Sequence, residues 1–313
     1  MKIYITHYPC TDGNTASWVT YLHDPYAIRM RESHGGYDTT KKLLDDPKVS
    51  KMQIVYVDIC PPRELLVALH DKAASLEVWD HHKTAAEDCG DLPYVHIDQD
   101  HSGAGIAWYK LSKEPAPMLV QLVEDADLWR WAIKDSSLYN MYIFNQDFNL
   151  KTWSKLHKEL EDPKSRKEVL KAARNYKEFQ DKLLRSTVTK RKLHWVHFNR
   201  LGIKLPAINC PLMQSQVGNF ICDKQKDIGA AVYYRGNEQF YFSLSSTNEG
   251  PDVSQIAKAY GGGGHRNAAG FVCSNLSELI KQIEDDLDYV PMTEEEIETL
   301  FRIVTGKHQD LHW

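Results

Sequence analysis

Three short apolar segments near the start of the chain each end in a residue that can bind a metal ion. They are residues 2–6 followed by His7, residues 53–57 followed by Asp58, and residues 76–79 followed by Asp80. A helical segment at residues 14–22 follows the first, and this strand–helix alternation predicts a mostly parallel sheet with helices on both faces. Ligands of such sheets lie at the carboxyl ends of the strands. We therefore expect the three polar ends to meet in one crevice.

The second half of the chain predicts a separate α/β domain. Residues 167–184 are rich in Lys, Glu, Leu and Ala and predict a long connecting helix. Beyond it, strands are predicted at residues 195–198, 203–208, 230–234 and 239–244, and helices at residues 213–222, 253–260 and 276–287. The predicted boundaries are 1–186 for the first domain with its connecting helix, 187–193 for the linker, 194–290 for the second domain and 291–313 for a helical tail. The fold class is α/β with two domains.

The bulk composition limits the function classes. The 313 residues are 42% hydrophobic and 26% charged, which is typical of a globular protein. No apolar run approaches the roughly 20 residues of a membrane helix, and the first residues do not resemble a signal peptide. The six cysteines show no metal or disulfide spacing, so we expect reduced thiols and a cytoplasmic protein. A net charge of −5 argues against long duplex DNA and favours a short oligonucleotide or small nucleotide as partner, and a homodimer is compatible with the sequence.

Four groups of acidic and imidazole side chains in the first domain predict a metal site. They are His7 with Asp12, Asp58, the run Asp80-His81-His82, and the run Glu124-Asp125 with Asp127. Such ligands suit Mn²⁺ or Mg²⁺, and two ions about 3.5–4 Å apart can hold both reacting oxygens of a phosphate and activate water. A carboxylate must bridge the two ions, and we assign this role to Asp58. A single Asp or His at a strand end is usually a structural residue, but four groups in one domain favour metal binding.

A glycine-rich run in the second domain predicts a phosphate site. It reads Gly261-Gly262-Gly263-Gly264-His265-Arg266. Glycine permits positive φ and removes side-chain bulk, so the amide groups can form an anion-binding concavity. We predict that substrate is bound by Gly262, Gly263, Gly264, His265 and Arg266. A flexible linker is the alternative, but a linker is typically rich in Ser, and apolar segments flank this run.

These motifs resemble those of the DHH phosphoesterases that carry a C-terminal DHHA1 domain. Asp80-His81-His82 is similar to the motif that names the family, and residues 261–265 with 268–270 are similar to the DHHA1 glycine signature. Residues 101–104, 124–129 and 252–257 also resemble the family, so the resemblance covers residues 1–290. It implies an N-terminal DHH domain with two Mn²⁺ ions and a smaller DHHA1 domain that contacts substrate. It also implies an active site in the cleft between them.

The resemblance assigns a role to each matching residue. It implies that His7 binds the first ion, Asp12 the second, and Asp58 both. His81 would bind the second ion, with Asp80 and His82 supporting it, so Asp58, His81 and His82 are the implied catalytic residues. Asp125 would complete the second site, because it lies four residues before an aromatic residue, and Asp127 is the alternative for that role. His265 would contact a substrate phosphate.

Two positions depart from the family pattern. Many members have an aspartate two residues before the position of Asp12, where this chain has Cys10. A thiolate prefers softer metals, so Cys10 is either a ligand of the first ion or a small apolar residue in the core or near the site, and we favour the second alternative. The second departure is Ser245, which stands where related DHHA1 domains often have an arginine. Both departures affect the prediction of the substrate more than the prediction of the reaction class.

The function that these features predict is hydrolysis of phosphodiester bonds in short oligonucleotides or small dinucleotides, including cyclic ones. A nucleotide phosphomonoesterase is the alternative, and a nucleotide-binding protein with weakened catalysis is the alternative from another class. The aromatic residues that could stack on bases are Trp129, Trp131, Tyr233 and Tyr234. At least half of them are expected to belong to the core.

Overall fold

The computed structural model describes residues 1–190, 193–224 and 229–276. This part of the chain divides into two compact units, one at Met1–Glu178 and one that begins at Phe179. The predicted α/β class with two domains is confirmed, whereas the predicted boundaries stay a prediction. Apart from residue 276, the predicted helix at residues 276–287 and the helical tail lie outside the described residues.

The first unit contains a five-stranded parallel sheet. Its strands are β1 (Lys2–His7), β2 (Ile28–Glu32), β3 (Gln53–Val57), β4 (Ser75–Asp80) and β5 (Val95–Ile97). They lie in the order β2-β1-β3-β4-β5, and every pairing is parallel. The predictions of β1, β3 and β4 are confirmed. Because these three strands are neighbours, their carboxyl ends lie side by side.

Both faces of this sheet are buried, as expected for parallel strands. Successive side chains of a strand point to opposite faces, so Ile3 and Ile5 join one core and Tyr4 joins the other. The helices that surround the sheet are α1 (Thr11–His23), α2 (Asp38–Leu44), α3 (Arg63–Lys72), α4 (Lys83–Cys89), α5 (Gly103–Leu111), α6 (Met118–Asp127), α7 (Ser136–Phe144) and α8 (Leu150–Glu161). Helices α1, α5 and α6 contribute to the core with Tyr4, and α2 and α3 to the core with Ile3.

A long helix, α9 (Pro163–Lys190), follows α8. It confirms the predicted helix at residues 167–184 and continues through the first residues of the predicted linker at 187–193. Lys and Arg are good helix formers, so the basic composition of that stretch does not end the helix. Among the helices that the structure describes, none combines the length and the apolar character needed to cross a membrane.

The second unit contains a mixed six-stranded sheet. Its elements are β6 (His194–Phe198), β7 (Ile203–Asn209), α10 (Gln214–Lys224), β8 (Ala230–Gly236), β9 (Gln239–Ser245), α11 (Val253–Ala259), β10 (Gly263–His265) and β11 (Ala268–Cys273). The strand order is β10-β11-β9-β8-β7-β6. Among the described strands of this second sheet, only β7 and β8 pair in parallel, and the other pairings are antiparallel. The four predicted strands and the first two predicted helices are confirmed, whereas β10 and β11 were not predicted.

Candidate metal centre

The polar residues at the ends of β1, β3 and β4 come together at one edge of the parallel sheet. The imidazole of His81 lies at the centre of the group and is buried. Its Nε2 is 3.1 Å from Oδ1 of Asp58, 3.5 Å from Oδ2 of Asp127 and 3.9 Å from Oδ2 of Asp12. Three carboxylates therefore surround one imidazole nitrogen.

Asp58 lies between two groups of potential ligands. Its Oδ1 faces His81 at 3.1 Å, and its Oδ2 is 3.6 Å from Nδ1 of His7. The residue directly follows β3 and has a φ of 64°, in the left-handed region. Aspartate is tolerated there better than most residues, but the conformation has a cost and such residues cluster at functional sites. The turn that results leaves one carboxylate oxygen facing each side.

Within the described residues of the first unit, three groups of potential ligand atoms lie close enough together to hold an ion. The atoms of each group are within 4.8 Å of one another. The groups are Asp58, Asp80, His81 and His82; His7, Cys10 and Asp58; and Asp12, His81 and Asp127. Asp58 belongs to the first two groups, and His81 belongs to the first and third.

Several buried atoms of this centre have no hydrogen-bond partner among the residues that the structure describes. They are Nδ1 of His7, Oδ2 of Asp58, Oδ2 of Asp80 and Oδ2 of Asp127. A buried polar atom without a partner is costly, so their convergence needs an explanation. Divalent cations supply one, because carboxylate oxygens and imidazole nitrogens are the donors that Mn²⁺ and Mg²⁺ accept. The residues present therefore fit the implied metal site.

The charges of the centre are strongly coupled. Burial and the neighbouring Asp58 raise the pKa of Asp12 well above its usual range, and burial also raises the pKa of Asp127. Burial opposes ionisation of Asp58, but the imidazoles of His7 and His81 outweigh it and hold its pKa well below its usual range. Burial likewise opposes the charged form of His81, yet the surrounding carboxylates raise its pKa to about 10. A bound cation must therefore displace protons from this group.

Asp12 also connects two helices. It lies in the first turn of α1, and its carboxylate accepts hydrogen bonds from Ser102 Oγ at 2.7 Å, Gly103 N at 2.6 Å and Ala104 N at 3.0 Å. The two amides belong to the unpaired N-terminal turn of α5, where a negative charge is favourable. A side chain at Gly103 would put its Cβ 2.4 Å from the Cβ of Asp58. No role was predicted for Gly103, although it lies in a stretch that resembles the family.

The Asp80-His81-His82 run holds itself in place. Oδ1 of Asp80 accepts hydrogen bonds from the amides of His81 at 2.7 Å and His82 at 3.2 Å, and it pairs with Nδ1 of His82 at 2.7 Å. Burial opposes the charged form of His82, but Asp80 outweighs it and raises the pKa of this histidine. Asp80 thus orients His82, and the supporting role that the resemblance implied for both residues stays a prediction.

Asp125 is placed differently from the prediction. Its carboxylate accepts hydrogen bonds from the amides of Ala132 at 2.8 Å and Ile133 at 3.4 Å, and the residue belongs to none of the ligand groups. Asp127 occupies the predicted place instead, 3.5 Å from His81. Residues two apart on a helix point in nearly opposite directions, so only one of the two can face the centre. The aromatic spacing used in the sequence could not decide which.

Cys10 lies beside the centre rather than in the core. It precedes the first turn of α1, and its Sγ is within 4.8 Å of ligand atoms of His7 and Asp58. Burial, followed by the charges of Asp58 and Asp127, raises the pKa of its thiol well above the usual range. The neutral thiol is therefore the favoured form among these carboxylates.

Comparison with known proteins identifies part of the chain. The sequence profile of the DHHA1 domain matches residues 213–289. The chain carries a DHHA1 domain. This match confirms the family resemblance drawn from the glycine signature. An uncharacterized protein of Acanthamoeba polyphaga mimivirus is 29% identical over 296 residues, which cover 88% of this chain and 68% of the viral protein.

Solved structures resemble the chain at low sequence identity. PggH, a pGpG-specific phosphodiesterase from Vibrio cholerae, is 12% identical with a TM-score of 0.43 over 99% of each chain. An exopolyphosphatase-related protein from Bacteroides fragilis is 12% identical with a TM-score of 0.44, over 99% of this chain and 93% of that one. RecJ from Thermus thermophilus, solved with Mg²⁺, is 15% identical with a TM-score of 0.40 over 87% of this chain and 47% of its own.

Part of the glycine-rich run of the DHHA1 domain is a strand, whereas the sequence predicted a concavity formed by its amide groups. Gly263–His265 form strand β10, which pairs antiparallel with β11. The amide of Gly262 donates to Ala257 O at 2.9 Å, and a Cβ at Gly262 would lie 2.1 Å from Gly270 O. Glycine is required here because two backbones approach closely. Substrate binding by Gly262, Gly263, Gly264 and His265 stays a prediction.

Other predicted contacts of the DHHA1 domain have structural partners. The guanidinium of Arg266 donates to Asn248 O at 2.8 Å and Gly250 O at 2.9 Å, so it supports a neighbouring turn. This use differs from the predicted phosphate contact, because both acceptors are backbone carbonyls. Tyr233 is buried and stacks on Phe242, so it belongs to the core. Ser245, at the end of β9, is also buried.

Proposed function

We propose that the chain is a metal-dependent phosphoesterase that hydrolyses phosphodiester bonds in short oligonucleotides or in small dinucleotides, including cyclic ones. One observation carries this proposal: the two oxygens of Asp58 face two different ligand groups, with His7 on one side and His81 on the other. A carboxylate in this position can bridge two cations. The DHHA1 match supports the same class of reaction.

The residues that would hold the ions follow from the geometry. His7 and Asp58 would hold one ion, with Cys10 nearby, and Asp58, Asp12, His81 and Asp127 would hold the other. We propose Mn²⁺ as the ion, with Mg²⁺ as the alternative. When bound, such ions lower the pKa of water and neutralise phosphate charge.

The other residues would act on the phosphate and on protons. Asp80 binds Nδ1 of His82, so the opposite ring nitrogen points away from Asp80. From there it can hold a proton beside a leaving oxygen or bind a phosphate oxygen. We propose that His265 of the DHHA1 domain binds a terminal phosphate, and the net charge of −5 favours a substrate of few nucleotides.

The test is hydrolysis with Mn²⁺ of a pentanucleotide, a dinucleotide, a cyclic dinucleotide and adenosine 3′,5′-bisphosphate. We expect turnover of at least one phosphodiester, and Asp58→Asn should lower it by at least about 10²-fold. Asp45→Asn is the matched control, since Asp45 is an exposed carboxylate after α2. Hydrolysis of the bisphosphate alone would favour the phosphomonoesterase instead. Unchanged activity in Asp58→Asn would show that the reaction does not need a bridging carboxylate. If no substrate is turned over, the alternative of a nucleotide-binding protein is favoured.

A further inference from the structure

The end of helix α6 has an unusual residue at its C-terminal cap. The amide of Trp129 donates to Ala126 O at 3.1 Å, and the amide of Arg130 donates to Asp125 O at 2.9 Å. This pair of hydrogen bonds is the Schellman arrangement that ends many helices. The residue that it places in the left-handed region is normally glycine, but here it is Trp129, with a φ of 57°.

A tryptophan in this position works against stability. The left-handed conformation brings Cβ close to the backbone, and it is a real outlier for a bulky side chain. The indole gains little burial in return, because Trp129 is 60% exposed. Trp131 is also left-handed, with a φ of 51°. Such costs are tolerated where function requires the conformation.

The turn that carries Trp129 is firmly held. The carboxylate of Asp125 accepts hydrogen bonds from the amides of Ala132 and Ile133, and these bonds hold the chain in place after the turn. The ring of Trp131 meets the ring of Trp129 edge to face, with centroids 5.1 Å apart and planes at 73°. One indole thus supports the other, and Trp129 keeps a broad exposed surface.

The position of the turn connects this surface to the metal centre. Asp127, the ligand candidate 3.5 Å from His81, lies two residues before Trp129. Two residues span at most about 7 Å of backbone. The backbone of Trp129 therefore lies close to the candidate ligand Asp127, and the stacking role requires that the base of a nucleotide bound at the centre extend to the indole.

We propose that Trp129 is the stacking surface for the nucleobase next to the reacting phosphate. This inference rests on the proposed function and adds its specificity: the substrate must carry a planar base, and the base contact is sequence-tolerant because every base has a π-face. The role also explains Asp125, which holds the turn while Asp127 faces the centre.

The test compares binding of adenosine 5′-monophosphate and ribose 5-phosphate, measured by calorimetry with Mn²⁺ present. Trp129→Gly is the main variant, since glycine is the preferred residue at this cap and the fold should be retained. We expect its Kd for adenosine 5′-monophosphate to rise about ten-fold while ribose 5-phosphate binds as before. Trp129→Phe should keep most of the affinity. Tyr26→Ala is the control, because Tyr26 is 97% exposed in the same unit and should leave both ligands unaffected.

Three results would overturn the stacking role. They are an unchanged Kd for adenosine 5′-monophosphate in Trp129→Gly, equal binding of the two ligands by the wild type, and equal losses for both ligands. A change of oligomeric mass with unchanged nucleotide binding would instead assign the indole to contact with a second copy. Failure of the proposed function would give a different result from failure of the stacking role. The wild type would then bind adenosine 5′-monophosphate more tightly than ribose 5-phosphate, yet it would hydrolyse no phosphodiester.

Discussion

Alanine substitutions at Asp125 and Asp127 should affect different properties, although the two residues lie only two positions apart on helix α6. The first should lower stability, and the second should lower metal affinity. Asp125→Ala removes the acceptor of two backbone amides, at 2.8 Å and 3.4 Å. A hydrogen bond to a charged acceptor contributes about 1.5–3 kcal/mol, and the longer bond contributes less. We therefore expect the free energy of unfolding to fall by about 2–4 kcal/mol. This corresponds to a decrease in Tm of roughly 5–15 °C for a unit of this size.

Asp127→Ala should leave the fold intact and weaken metal binding. Within the described part of the chain, Oδ2 of Asp127 accepts no hydrogen bond, and it lies 3.5 Å from Nε2 of His81 among the other carboxylates. Removing this negative charge takes one ligand from the site, and we expect the Kd for Mn²⁺ to rise at least about ten-fold. The assays are thermal unfolding without metal and calorimetric titration of Mn²⁺ for both variants. The assignment of the two residues is refuted if Asp125→Ala loses Mn²⁺ affinity at unchanged Tm while Asp127→Ala keeps it.

Three further predictions follow from the centre. Gly103→Ala should lower both Tm and Mn²⁺ affinity, because its Cβ would lie 2.4 Å from the Cβ of Asp58; equal values in variant and wild type would contradict the close packing. Mn²⁺ binding between pH 6 and 8 should release protons, because the pKa of His81 is raised to about 10 and that of Asp12 is also raised. The Kd should then fall about ten-fold per pH unit for each proton released, and a pH-independent Kd is the opposing result. Cys10→Ser and Cys10→Ala should both keep their Mn²⁺ affinity within a few-fold in the same titration, and a ten-fold loss in either would make Cys10 a ligand.

The sequence predicted the central strands of the first unit because their composition is unambiguous. In β3, the four residues after Gln53 form a continuous apolar run that Asp58 follows, as expected for a strand buried on both faces. Ile28–Glu32 was missed because it alternates with arginine and lies at the edge of the sheet. Gly263–His265 was missed for another reason: glycine has a low β propensity, and only pairing with β11 makes this segment a strand.

The candidate metal centre was predictable as a group of residues, but the choice among neighbouring acids was not. The runs at strand ends located His7, Asp58 and His81, since parallel strands bring their ends together. The choice between Asp125 and Asp127 depends on which side of α6 faces the centre. That orientation is decided by tertiary packing, which cannot be inferred from the spacing of the two acids in the sequence.

The double use of Asp12 bears on how such a chain can evolve. Its carboxylate holds the first turn of α5 as well as facing His81, whereas Oδ2 of Asp127 accepts no hydrogen bond from the residues that the structure describes. A lineage that abandoned catalysis would therefore keep Asp12 and the adjacent Gly103 under selection for folding alone. Asp127 would be the first of the acidic residues to drift. In a degenerate descendant, the absence of an acid at this position is the informative sign of lost activity, and the survival of Asp12 is not evidence that activity persists.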